Sequence, residues 1–259
     1  MRRADTVLVI IVGALAVFVI GSIAKRPRVE QPRSEIHADA SPPETVSAAP
    51  HREIAAAVRQ SGSPAPVRDD AQIRALINET PGTYMYDMLA DLKGTLIRWP
   101  DRRERGLRIW VQSMTNVRDW DPGYAQEARD AFDDWGREPL PIRFDFILDS
   151  ATADVRVVWV DKFPPEAGRS VGVTLRTNDQ NGWLLDARID IAIHDSTGRT
   201  IPPRGLEGVM RHEAGHALGL GHSRDQTTKM FPVEMTPTIT PADRATLRLL
   251  YRLPPGPVR

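Results

Sequence analysis

The chain has 259 residues, with 34 basic and 34 acidic side chains, so its formal net charge is zero. This balance excludes a broad electrostatic attraction to polyanions, and we expect no nucleic-acid partner. The sequence contains no cysteine, so the protein uses neither disulfides nor thiolate metal ligands.

An apolar run without charged residues opens the chain at residues 6–24, with basic residues on both sides. About 19 residues are just enough to span a bilayer as a helix, so the run predicts a single-pass membrane anchor. A secretory signal peptide is the alternative, because Ser22-Ile23-Ala24 has the pattern of a cleavage site near Ala24. In both cases we expect the rest of the chain outside the cytoplasm, either membrane-anchored or secreted.

Residues 25–70 carry many prolines and no aromatic residue, which predicts a disordered tether that cannot bury enough apolar area to fold. Residues 71–105 are more apolar, and their spacing predicts two short helices. This segment is either an inhibitory pro-segment or an N-terminal extension packed permanently on the domain that follows.

Residues 106–255 alternate between strand and helix patterns and predict one α/β (α+β) domain. The predicted strands are 107–112, 142–148, 153–160, 170–176 and 187–193, and a helix is predicted at 124–135. We expect strands 142–148 and 153–160 to pair with each other. Residues 178–182 read as a tight turn. A calcium site at this turn is an alternative interpretation that no other feature of the sequence supports. His194 is interpreted as a strand-end residue rather than as a metal ligand.

The strongest functional signal is the run from His212 to His222, which reads H-E-x-x-H-x-x-G-x-x-H. Apolar positions around it have helical spacing, and residues four apart on a helix share a face. His212 and His216 can therefore reach one metal ion. Gly219 can adopt positive φ and end the helix, so that His222 returns to the same ion. Three histidines predict one catalytic zinc with a fourth position for water, which Glu213 can reach.

This long motif resembles the zinc-binding motif of the metzincin proteases, and the residues that follow it narrow the resemblance to the matrixins. Ser223 comes directly after the third histidine, and Met230-Phe231-Pro232 matches the Met-aromatic-Pro turn of that family. By this resemblance, Met230 is the Met-turn residue beneath the zinc, with Met235 as the competing candidate. The chain is more similar to compact bacterial matrixin-like proteases than to the animal enzymes.

The resemblance implies the zincin-like metzincin fold, which has a twisted, mostly parallel sheet, an active-site helix and a C-terminal helix. The last helix is also indicated locally, because Thr240 and Pro241 form a helix start and Leu250-Tyr251 matches the family's ending. By resemblance, strand 170–176 is the sheet edge that pairs with an extended substrate.

The specificity pocket implied by the resemblance follows the Met-turn and would include Pro232, Val233 and Glu234. Glu234 stands where animal matrixins have tyrosine, which puts the usual preference for a large apolar side chain in doubt. Without cysteine, the family's cysteine switch cannot operate. Ligands for a second, structural zinc are not evident.

These features predict a monomeric zinc endopeptidase that acts on a protein or peptide substrate. His212, His216 and His222 would hold Zn²⁺, which lowers the pKa of its bound water and polarises the scissile carbonyl. Glu213 would take the water's proton and return it to the leaving amine. The alternatives are a zinc hydrolase of cell-wall peptides and a non-catalytic, membrane-tethered binding domain. The presence of Glu213 argues against the second.

Overall fold

A computed structural model describes the backbone of residues 8–12 together with residues 63–233 and 236–258. The predicted tether up to residue 62 and most of the predicted anchor lie outside these ranges. Within them, no helix is both long enough and apolar enough to cross a membrane. The described part of the apolar run, Leu8–Val12, is a β-strand and not the predicted helix. Its run of β-branched residues favours an extended backbone.

The core of the fold is a six-stranded sheet. Its strands are β1 (Leu8–Val12), β3 (Arg102–Val111), β4 (Ile142–Ile147), β5 (Val155–Val160), β6 (Gly172–Asn178) and β7 (Leu184–Ala192), and a separate two-stranded sheet joins β2 (Thr95–Leu96) to β8 (Gly256–Pro257). The order in the large sheet is β1-β6-β7-β5-β3-β4. Three of its strand pairs are parallel, namely β3 with β4, β3 with β5, and β5 with β7, whereas β6 runs antiparallel to β7. The prediction of a mostly parallel sheet in an α/β fold is confirmed.

The predicted pairing of strands 142–148 and 153–160 is wrong, because β3 lies between β4 and β5. Side-chain polarity agrees with the position of each strand in this order. The strand β5 has valines facing the core and belongs in the interior of the sheet, whereas β4 carries Arg143 and Asp145 and lies at the edge. A helix connects β3 to β4, as a parallel connection requires.

Three helices complete the domain and follow the sequence pattern closely. They are α3 (Gly123–Gly136), α4 (Pro203–Ala217) and α5 (Pro241–Arg252). Almost every residue of α4 from Leu206 onward is buried, so this helix crosses the interior. At the start of α5, Thr240 and Asp243 form a capping box in which each side chain bonds the other's backbone N–H.

The two helices predicted upstream are α1 (Asp70–Glu79) and α2 (Met85–Asp91). The second is shorter than its apolar pattern indicates, because Lys93 and Gly94 have φ values of 53° and 74° that turn the chain into β2. The segment contributes ten buried residues to the same apolar core as the sheet and α4. They are Ile73, Ile77, Tyr84, Met85, Met88, Leu89, Leu92, Leu96, Ile97 and Trp99.

Candidate metal centre

The structure brings His212, His216 and His222 together with one ligand nitrogen from each ring within 4.8 Å of the others. The first two rings project from α4, and the third comes from the turn that follows it. Gly219 makes this turn with a φ of 108°, and a Cβ there would lie 2.3 Å from the carbonyl oxygen of Ile97. Only glycine combines that backbone angle with such close packing, so the predicted role of Gly219 has a steric basis.

Each of the three rings is oriented by a bond at its Nδ1 atom. Because the acceptors are carbonyl or carboxylate oxygens, Nδ1 must carry a proton, and in the neutral ring this leaves the lone pair on Nε2. The acceptors are the Lys229 carbonyl for His212 at 2.8 Å, the Leu220 carbonyl for His216 at 2.9 Å and Asp91 Oδ1 for His222 at 3.2 Å. All three histidines are therefore held in the tautomer that offers Nε2 to a common point.

The Nε2 atoms of the three rings have the environment and the spacing that a zinc ion requires. His212 Nε2 is buried without a hydrogen-bond partner, which is costly unless a metal occupies the site. The Nε2 atoms of His216 and His222 are 3.2 Å apart. Two nitrogens on one tetrahedral zinc, each at about 2.0–2.1 Å from the metal, are separated by roughly 3.3 Å.

The electrostatic environment also keeps the rings of His212 and His216 neutral. Burial, followed by the charge of His222, lowers the pKa of His212 to about 3. Burial likewise holds the pKa of His216 well below its usual range, with smaller contributions from the two neighbouring histidines. Neutral rings are the form that binds a metal, so the pocket does not need to remove protons at physiological pH.

Glu213 is fully buried against the inner face of β6. The Thr174 hydroxyl donates to Glu213 Oε2 at 2.6 Å and also approaches the Glu213 backbone carbonyl at 3.1 Å. A Cβ at Gly172 would lie 2.6 Å from Glu213 Oε1, so the strand backbone approaches the carboxylate closely. Thr174 therefore orients the carboxylate that the motif assigns to acid–base work.

A second polar residue of β6, Arg176, donates hydrogen bonds to carbonyl oxygens at the C-terminal end of α4. Its guanidinium is almost completely buried and donates to the carbonyls of His216 and Leu220 at 2.9 and 3.0 Å. Burial lowers the pKa of Arg176 to about 10, with Asp91 and Glu213 opposing the shift. The side chain is still charged at neutral pH and complements the carbonyl end of the helix. Sequence analysis missed both Thr174 and Arg176.

Met230 lies where the resemblance expects the Met-turn. It is fully buried, its carbonyl accepts the Ser223 N–H at 2.9 Å, and a Cβ at Gly215 would lie 2.6 Å from its sulfur. Gly215 belongs to the turn of α4 between the first two histidines, so the sulfur packs against that part of the helix. Asp243 accepts the backbone N–H groups of Lys229 and Met230 at 2.8 and 3.3 Å. The role of Met230 stays a prediction, and Met235 lies outside the described residues.

The remaining predicted site residues are those of the specificity pocket and of the turn proposed for calcium. Pro232 and Val233 are partly buried after the Met-turn, and Glu234 lies outside the described residues. At the turn predicted over residues 178–182, Asp179 Oδ1 accepts the N–H groups of Asn181 and Trp183. Within the described ranges, the three histidines form the group that could hold a metal ion, and the calcium prediction stays untested.

His194 follows β7, as expected for a strand-end residue. It is buried, and its ring nitrogens contact two carboxylates, Asp161 at 2.8 Å and Asp119 at 3.0 Å. These contacts lie on opposite sides of the ring. They join three loops rather than converging on one point, which is consistent with a structural role.

Comparison with known proteins places this centre in a family. The matrixin model, Peptidase_M10, matches residues 112–252, which is more than half of the 259-residue chain. The chain belongs to the matrixin family. It is also similar to Metalloendoproteinase 1-MMP of Arabidopsis thaliana, with 29% identity over 122 residues. That match covers 40% of this chain but only 30% of the plant protein.

Matrixins are zinc-dependent proteases, and the histidine cluster lies within the matched region. The match begins at residue 112, near the end of β3. Helices α1 and α2 therefore lie outside the part of the chain that the family model describes, although both pack on the same core.

Proposed function

We propose that the protein is a zinc-dependent endopeptidase that holds one Zn²⁺ through His212, His216 and His222. The observation that carries this proposal is the geometry of the three rings, whose Nε2 atoms converge while every Nδ1 atom contacts an oxygen acceptor. Three nitrogen ligands leave a coordination position for catalysis, unlike a closed structural site. The family match supports the same chemistry.

The acid–base step would be carried by Glu213. A zinc ion at the three rings supplies a Lewis acid that polarises the scissile carbonyl and lowers the pKa of water. Glu213 accepts a proton from the attacking water and returns it to the nitrogen of the leaving amine. The hydrogen bond from Thr174 holds the carboxylate against β6 during both transfers. Arg176 fixes the end of α4 on which two of the rings depend.

The substrate would bind as an extended strand along β6. The backbone of Gly172 passes close to Glu213, so a peptide paired with this part of β6 lies beside the acid–base group. Farther along, Leu8–Val12 pairs antiparallel with residues 174–178 of the same edge. This pairing supports the view that the β6 edge accepts an extended apolar segment.

The cellular location and the oligomeric state are part of the proposal. We infer that the catalytic domain lies outside the cytoplasm, either anchored through residues 6–24 or secreted after cleavage near Ala24, and that it acts as a monomer. The length of the apolar run and its flanking basic residues support this location, and both forms require that Leu8–Val12 leaves the edge of β6. Pro232, Val233 and Glu234 are our candidates for the specificity pocket, because they directly follow the Met-turn.

The deciding experiment measures cleavage of a peptide library by the full chain, with and without a chelator. Glu213→Gln should lower turnover by on the order of 10²–10⁴ while keeping about one equivalent of zinc. His222→Ala should lose most of the zinc and so separates metal binding from acid–base chemistry. Cleavage confined to a cross-linked cell-wall peptide would transfer the proposal to that substrate class. Absence of cleavage in a zinc-loaded wild-type chain would overturn the enzymatic function.

A further inference from the structure

We propose that Asp91, at the end of α2, is a positioning residue for the zinc ligand His222. Helix α2 is then a permanent part of the metal centre rather than a removable cover. This inference rests on the proposed zinc function and deepens it. It assigns a role to a residue that lies upstream of the region matched by the matrixin model.

Asp91 accepts hydrogen bonds from His222 with both of its carboxylate oxygens. Oδ2 accepts the backbone N–H of His222 at 2.9 Å, and Oδ1 accepts the ring Nδ1–H at 3.2 Å. One carboxylate thus fixes the main chain and the ring of the same ligand. Main-chain carbonyls hold the other two rings, so His222 is the ligand whose tautomer depends on a side chain.

His222 is also the ligand with the greatest need for an external restraint. His212 and His216 are held by the backbone of α4 and are almost fully buried. His222 follows the helix in an irregular segment, and its side chain is 12% exposed. Without a partner at Nδ1, this ring could rotate or adopt the other tautomer.

The segment before His222 is shaped to receive α2. A Cβ at Gly221 would lie 2.9 Å from Asp91 Oδ2, 3.0 Å from Met88 Cγ and 3.1 Å from Leu92 Cγ. Three separate side chains of α2 and its end therefore occupy the space that any larger residue would need. On the same helix, Asp87 accepts the backbone N–H of Arg224 at 3.0 Å. Helix α2 thus contacts the chain both before and after the third ligand, at Gly221 and at Arg224.

The start of α2 is anchored to α5. The Tyr84 hydroxyl donates to Asp243 Oδ1 at 3.1 Å, and the Tyr84 backbone N–H donates to Thr246 Oγ1 at 3.1 Å. Asp243 also holds the backbone of Lys229 and Met230. Helix α2 therefore connects the loop of the third histidine, through Asp243, to the turn that carries Met230.

The chemistry of this contact is that of a carboxylate behind a metal-binding histidine. The carboxylate fixes the proton on Nδ1, orients the ring and increases the basicity of Nε2. Loss of such a partner typically weakens metal binding by about 10–100-fold. If α2 were a removable pro-segment, its departure would expose the apolar Met88 and leave His222 without this partner.

The test compares Asp91→Ala and Asp91→Asn with Asp87→Ala in the full chain. Asp87 lies on the same helix and bonds the same loop, but it contacts the backbone of Arg224 instead of a ligand, so it is a matched control. Zinc dissociation constants are measured by competition with a chelator, and unfolding of the metal-stripped proteins is measured in parallel. We expect Asp91→Ala to weaken zinc binding by about 10–100-fold, with Asp87→Ala close to wild type.

Asp91→Asn keeps an oxygen acceptor for the ring but loses the charge, so its zinc affinity should fall between Asp91→Ala and wild type. The metal-stripped Asp91→Ala and Asp87→Ala proteins should unfold at similar temperatures, because the proposed difference concerns the metal. Wild-type zinc affinity in both Asp91 variants, or an equal loss in Asp87→Ala, would overturn the assignment. A wild-type chain that binds no zinc would instead overturn the proposed function itself.

Discussion

Replacing Gly215 by alanine sets helix propensity against packing at the metal centre. Gly215 lies inside α4, between the two histidines of the helix. A Cβ at this position would lie 2.6 Å from Met230 Sδ, 3.3 Å from Met230 Cε and 2.9 Å from Trp135 Cζ2. Both neighbours are fully buried, and the Trp135 indole is fixed by its bond to the Arg211 carbonyl at 2.8 Å. Neither can move away without disturbing the core.

The two effects have opposite signs and known sizes. Alanine is favoured over glycine in a helix interior by about 1 kcal/mol. Insertion of an extra methyl group into a well-packed core costs about 1–3 kcal/mol. Because the new Cβ meets two side chains below normal contact distance, we expect the upper half of this range. The net loss in the free energy of unfolding should then be about 1–2 kcal/mol.

Urea unfolding of the metal-stripped protein measures this balance, and Met230→Ala provides the control background. Met230→Ala removes the closer of the two contacts, but the approach to Trp135 Cζ2 at 2.9 Å remains. The cost of Gly215→Ala should therefore be smaller in this background, by about 0.5–2 kcal/mol, without disappearing. A smaller cost in the Met230→Ala background is the expected signature. If Gly215→Ala stabilises the protein with Met230 in place, the packing argument fails and Met230 does not pack as described.

Two further predictions concern polar contacts. Thr174→Val removes the hydrogen bond to Glu213, and we expect it to lower kcat by about tenfold, equivalent to roughly 1.4 kcal/mol. The zinc content should stay unchanged, and Thr174→Ser should recover the lost kcat. Asp154 is buried, which alone raises its pKa, but hydrogen bonds from Arg108 outweigh burial and hold the pKa below its usual range. Its stabilisation is therefore present above the unfolded pKa and is lost as pH falls through the folded value. Asp154→Asn should lower the free energy of unfolding by about 1–3 kcal/mol at pH 7. In urea titrations this difference should shrink below about pH 4.

The metal-binding helix could be predicted because its information is local. The four-residue spacing of His212 and His216 places them on one face, and Gly219 marks the point where the helix must end. Thr240 and Pro241 likewise indicate the start of α5, and the capping box is present. Each of these predictions depends on residues within one or two turns, where propensity and geometry act directly.

The order of the strands could not be read in the same way. The patterns of β4 and β5 locate both strands but carry no information about their partner, and β3 lies between them. The same limit applies to Asp91, which lies 131 positions before His222 and contacts it only because α2 packs on the loop. A single acid at the end of a short helix resembles any solvated residue, so its role becomes visible only in three dimensions.

The contacts of the inner face of β6 differ from the strand order and from Asp91, because the sequence of β6 contains a pattern that indicates them. Gly172, Thr174 and Arg176 alternate along the strand and are all buried, while the residues between them are partly exposed. A strand normally buries its apolar residues, so the polar residues Thr174, Arg176 and Asn178 on the buried face require partners. The candidates for those partners are the polar groups of the metal-binding helix. The strand is expected, by resemblance, to pair with the substrate near the active site. Polar residues at every second position of such a strand therefore indicate contacts like those of Thr174 with Glu213 and Arg176 with His216.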